Sequence, residues 1–138
     1  MEGILTLLLV TIQRVEQAGL TNVTVLDDCP ASLYGFYLRA ENQIGLCRNT
    51  HNSEKALIQT LLHEAVHRMQ HCRDAARSTL QDKQIRQVLE DEALEMAHAQ
   101  SKDGTNNIER VMTHLQHYCI NAKQSPQSKN AIGSRSGQ

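Results

Sequence analysis

The sequence is poor in aromatic residues: it has no tryptophan, one phenylalanine and three tyrosines. That leaves too few rings for the stacking platforms on which single-stranded nucleic acids are bound. It also lacks an excess of either charge. A formal net charge of -1 gives no electrostatic footprint for nucleic acid and no basic face for an anionic membrane. No apolar run approaches the ~20 residues of a membrane-spanning helix. The longest, Ile4 to Ile12, follows Glu2 with no Lys or Arg before it and no A-x-A-like cleavage site behind it. Those absences argue against a signal peptide, so the run reads as the buried face of a first helix and the protein as cytoplasmic. There is no CxxC pair among Cys29, Cys47, Cys72 and Cys119, which argues against a zinc ribbon or a thioredoxin-like site. The even count allows one or two disulfides, but with no secretory signal small buried thiols are the expectation. No internal repeat is present.

What remains is a chain of 138 residues, enough for one domain with its own core. Ile4 to Ala18 predicts a helix that ends at Gly19, a favoured C-cap residue. Asn22 to Leu26 is rich in β-branched residues and predicts a strand. Tyr34 to Arg39 and Gln43 to Arg48 predict a hairpin about Ala40-Glu41-Asn42. Asn52 or Ser53 can cap a helix from about Glu54 to Arg73. A second helix is predicted from about Asp82 to Gln100. After a loop at Asp103-Gly104, a capping box of Asn106 and Glu109 starts a third, about Asn107 to Cys119. The order is helix, small sheet, three helices, an α+β pattern. Residues 1–120 form the domain. Residues 121–138 form a polar tail of disordered composition.

Chemistry concentrates in one motif. His63-Glu64-Ala65-Val66-His67 is HExxH. Residues four apart share a helical face, so two imidazoles there can bind one zinc ion. The intervening Glu stands beside the metal, where it can take a proton from water. With seven His in the chain, the motif would arise by chance at roughly 2%; alone it is suggestive, and its setting strengthens it. At 100° per residue, Ile58, Leu62, Ala65, Val66 and Met69 form one apolar stripe. His63 and His67 fall off it, which weighs against ordinary core histidines.

A catalytic zinc needs a third protein ligand and an open position. His71 lies eight residues from His63, about 12 Å along the helix, too far to share an ion with both motif histidines. On the following helix, Glu92 falls within the apolar stripe of Ile85, Val88, Leu89, Met96 and Ala99. A carboxylate buried there needs a partner; a metal ion is the natural one, and an Arg or His is the alternative. Glu95, at the edge of that stripe, is the alternative ligand or a hydrogen-bond partner for a ligand histidine.

HExxH followed by Glu92-Ala93 on a second helix resembles the gluzincin branch of the zincin metallopeptidases. The run Leu61 to Gln70 is similar to the HExxHxxQ stretch of minimal metallopeptidases from bacteria and their phages. The resemblance implies a zincin-like fold: an N-terminal helix and small sheet, then the active-site helix and two more. It implies that His63, His67 and Glu92 bind Zn2+, that Glu64 is the general base, and that the hairpin's edge strand aligns a peptide or protein substrate. Nucleic acid and membrane are not expected as partners. An oxyanion donor is expected from His114, His117 or Tyr118. The competing expectation is an assembly component, for instance of a phage virion, that keeps a zincin fold while its tail docks on a partner. Another is a closed structural zinc site that recruits Cys72 or His71.

Overall fold

The structure, a computed structural model, describes residues 2–74, 83–98 and 105–121. Leu8, Ile12 and Val15 recur at helical spacing and are buried on one face of α1 (Glu2–Gly19). The helix closes in a Schellman arrangement, Thr21 N–H donating to Glu16 C=O at 3.3 Å. The left-handed residue of that motif is Leu20 (φ 52°), not the glycine. Gly19 instead lets neighbours come close: a Cβ there would lie 3.1 Å from Leu115 Cδ2 and 3.4 Å from Arg68 Cγ.

Three strands follow, β1 (Asn22–Leu26), β2 (Gly35–Leu38) and β3 (Gln43–Cys47). β2 and β3 form the expected antiparallel hairpin, Gly35 opposite Leu46 and Leu38 opposite Gln43. Asn42 turns the chain at φ 54°, a conformation an Asn side chain tolerates. β1 joins the other side of β3 in parallel, Val23 opposite Ile44, giving the order β1-β3-β2. β3 is therefore central, which is why Ile44 to Cys47 are fully buried. β2 is an edge.

α2 (Glu54–Arg73) begins at Ser53, whose hydroxyl accepts the Ala56 N–H. It is the hub of the core. Leu61, Leu62, Ala65, Val66 and Met69 are buried on it. They belong to one apolar cluster with Val15 of α1, Leu46 of β3, Ala93 of α3 (Lys83–His98) and Leu115 of α4 (Thr105–Leu115). A π-helical turn, Gln116–Asn121, extends α4. The described chain is thus α+β, four helices with a three-stranded mixed sheet. No described helix is long and apolar enough to cross a membrane.

Three expectations are corrected. The capping box is not used: α4 starts at Thr105, so Asn106 is already helical, and Glu109 forks Arg14 at 2.8 and 3.0 Å. Asn107 donates instead to Ala97 C=O near the end of α3. The cysteines are not thiols but pair as Cys29–Cys47 and Cys72–Cys119. Separations of 18 and 47 residues hide such pairing in the sequence, and only folding brings the partners together. The apolar stripe of α3 is also displaced. Among its described side chains the buried ones are Ala93, Met96 and Ala97, while Val88 is 64% exposed. Small alanines, not the large Val88, mark where this helix is packed. Glu92 therefore lies at the edge of the packed face, half-buried. The Asp103-Gly104 loop and the tail beyond Asn121 lie outside the described residues.

Candidate active site

α2 presents His63, Glu64 and His67 beside its packed face. Both imidazoles are half-buried, with rings edge to face and centroids 5.0 Å apart. α3 brings up Glu90, whose Oε1 lies 3.1 Å from His63 Nε2 and whose Oε2 lies 3.1 Å from His67 Nε2. One ligating atom from each of the three lies within 4.8 Å of the others.

A hydrogen bond to Gln70 orients His67 toward the cluster. Gln70 donates its amide N–H groups to Leu89 C=O (2.8 Å) and Glu92 Oε1 (2.9 Å). Its oxygen is thereby turned to His67 Nδ1, 2.8 Å away. An amide oxygen only accepts, so Nδ1 carries the proton. With Nδ1–H held by Gln70, it is Nε2 that faces the Glu90 carboxylate and is available to a metal ion. Two imidazole nitrogens and a carboxylate form a donor set suited to zinc, so the residues fit the metal.

Glu64 is held at the cleft between α2 and β2. A Cβ on Gly35 would lie 3.5 Å from Glu64 Cγ and 2.8 Å from Thr60 Cγ2. Glycine is what lets the edge strand pass this close. Burial pushes the Glu64 carboxyl up to about 7, against the pull of His67 and with the help of Glu90. Thr60 in turn donates to His51 Nε2 (2.7 Å), because His51 Nδ1–H is committed to Cys47 C=O (2.6 Å). Burial also lowers His63, chiefly, with His67 adding to the effect. His63 is thereby biased toward the neutral, metal-binding form.

The profile of the Peptidase M76 family matches residues 2–124. The chain belongs to the Peptidase M76 family. No curated protein and no solved structure matches the chain significantly. Membership makes this a metallopeptidase-family protein, and the cluster of His63, His67 and Glu90 is where an M76 chain of this sequence could hold a metal ion.

The remaining residues singled out from sequence lie elsewhere. Glu92 is not brought to the histidine pair. Its oxygens face Arg73 Nη1 and Nη2 at 2.9 Å each, besides Gln70. Those bonds, Arg73 foremost, hold its carboxyl below the usual range. Glu95 is exposed and forks Arg110 of α4 at 2.7 and 2.8 Å. His71 accepts from Tyr37 OH at 2.7 Å, on the side of α2 where Arg68 binds the carbonyl of Gly19. His114 Nδ1 binds Arg110 C=O within α4. His117 and Tyr118 pack on each other, and Arg73 covers the Tyr118 ring. Cys72 is in a disulfide. Sequence reasoning missed Glu90. The alanines at 93 and 97 were the available signal, because they move the packed face of α3 and leave Glu90 and Glu92 on its two flanks.

Proposed function

We propose that the chain is a zinc-dependent peptidase in which His63, His67 and Glu90 hold the metal and Glu64 is the general base. The reading is carried by one observation: in a metallopeptidase-family chain, two imidazole nitrogens and a carboxylate converge, with His67 oriented by Gln70. It takes Glu90, not Glu92, as the third ligand, and gives Glu92 the task of holding Gln70. A zincin-like arrangement, an HExxH helix beside an edge strand, is part of the same proposal.

His63, His67 and Glu90 would hold the zinc ion, which when bound would supply Lewis acidity to the attacking water and the scissile carbonyl. Glu64, with a carboxyl poised near neutrality, takes one proton from that water as its oxygen adds to the carbonyl carbon. The same proton then passes to the amide nitrogen as the C–N bond breaks, releasing a carboxylic acid and an amine. His67 cannot rotate out of register while Gln70 holds its Nδ1–H. The outer edge of β2 offers backbone N–H and C=O groups to an extended peptide, and Gly35 lets that peptide lie close to Glu64.

The test is zinc content and hydrolysis of an unfolded protein, β-casein, by wild type and four variants. About one zinc per chain is expected in wild type, lost in His67→Ala and Glu90→Ala. Glu92→Ala keeps zinc with weaker affinity. Glu64→Gln keeps zinc and stops hydrolysis. Zinc bound at full affinity by Glu90→Ala, or no zinc in wild type, would overturn the assignment.

A further inference from the structure

Amide hydrolysis places negative charge on the scissile carbonyl oxygen, and a fixed N–H donor aimed at that oxygen accelerates it. The α4 and π-turn residues that the sequence offered for this work are engaged within their own segment, His114 with Arg110 C=O and His117 with Tyr118. We propose that His98 is the donor. The proposal rests on the zinc peptidase reading given above.

Three observations carry it. First, His98 stands at the edge of the site without entering it. Its ring meets His63 edge to face, with centroids 5.5 Å apart, while the ligating cluster is His63, His67 and Glu90. Second, it stands on the opposite wall from the base. Consecutive helical residues diverge by about 100°, so Glu64 and His63 look to different sides of α2. Gly35 and Thr60 are on the Glu64 side; Glu90 and His98, both of α3, are on the His63 side. A carbonyl bound between β2 and α3 with its carbon toward Glu64 and its oxygen toward α3 would present that oxygen to His98. Third, the ring is uncommitted. His98 is exposed, and among the described residues neither of its nitrogens makes a hydrogen bond. An imidazole keeps at least one N–H in either neutral tautomer and when charged, so the donor is present whatever the protonation state.

The experiment compares zinc-loaded wild type, His98→Ala and His98→Gln on β-casein, with zinc content measured for each. A second arm measures binding of fluorescein-labelled β-casein by anisotropy in the Glu64→Gln background, with and without His98→Ala. The expected result is unchanged zinc and a kcat lower by about 100- to 1,000-fold in His98→Ala. KM and ground-state binding stay unchanged, and His98→Gln, which keeps an N–H donor, recovers part of the rate. Unchanged kcat in an active enzyme overturns this proposal alone. So does loss of zinc, which would make His98 a ligand, or an equal loss of binding, which would make it a ground-state contact. A wild type that binds zinc but hydrolyses nothing overturns the peptidase reading and this proposal with it.

Discussion

Glu92 accepts a hydrogen bond of 2.9 Å from the same Gln70 amide whose oxygen lies 2.8 Å from His67 Nδ1. A carboxylate on α3 thus acts on an imidazole of α2 through one intervening amide. Arg73 holds the far side of Glu92, also at 2.9 Å. The relay runs Arg73, Glu92, Gln70, His67, and every step pairs a donor with an acceptor.

The first prediction tests that relay. Gln70→Leu removes the acceptor for His67 Nδ1–H and leaves Glu92 with Arg73. Zinc affinity should fall by about 10- to 100-fold, the usual cost of losing an outer hydrogen bond to a ligand histidine. Glu92→Gln should cost less, because its side-chain oxygen can still accept from Gln70. Competitive titration against a zinc chelator measures both. Equal affinity in wild type and Gln70→Leu would sink the relay.

How much of this was legible beforehand follows from what each feature depends on. α2 shows in the sequence with both ends correct, because Ser53, the apolar spacing and the run to Arg73 are all local. The hairpin is local too, marked by Ala40 to Asn42 between β-rich segments. The placing of His63 and His67 beside the apolar stripe needed only the helical period. The parallel pairing of β1 with β3 depends on residues 21 apart meeting, and nothing local announces it. The disulfides are hidden for the same reason. Glu90 and Glu92 could be told apart only by knowing which face of α3 packs, and Val88 misled that judgement by being both apolar and exposed. His98 was passed over because its significance comes from His63, on another helix.

The second prediction concerns the crossing of β2 over α2. In Gly35→Ala the new Cβ meets Thr60 Cγ2 at 2.8 Å and the Gly45 carbonyl at 3.0 Å. One of these contacts is backbone and cannot rotate away, so the strand must lift from the helix. A loss of about 1–3 kcal/mol in stability is expected, with zinc content unchanged and kcat reduced, because the strand is displaced beside Glu64. Chemical denaturation and zinc analysis check the two halves. Wild-type stability in this variant would mean that the close approach is not enforced.

The third prediction concerns the two disulfides. In the chain-entropy treatment, closures of 18 and 47 residues contribute roughly 3 and roughly 4 kcal/mol. Cys72–Cys119 ties the end of α2, one turn past His67, to the π-helical turn after α4. Reduction should lower Tm by several degrees or more, and Cys72→Ser should show the larger share. A Tm indifferent to reductant, in protein whose thiols are verified to be free, would count against both bonds as stabilising links.

The last prediction is the pH dependence of the zinc-free protein. Burial raises the Glu64 carboxyl from its ordinary 4.5 to about 7, so the folded state binds this proton more tightly than the unfolded chain does. Stability from this group is therefore greatest below about 4.5 and declines as pH rises through about 7. The loss is on the order of 3 kcal/mol once complete. Burial lowers His63, and partial desolvation beside α2 lowers the more exposed His98; both work in the opposite sense on acidification, so the raw profile mixes the two effects. Glu64→Gln separates them: the glutamine does not titrate, and the histidine contributions remain to first order. With zinc removed by chelator, the stability of Glu64→Gln relative to wild type should grow between pH 5 and about pH 8 and then level off. Parallel profiles would mean that Glu64 ionises as freely in the folded cleft as in water, and Glu64 would then lack the poise near neutrality that the base role gives it.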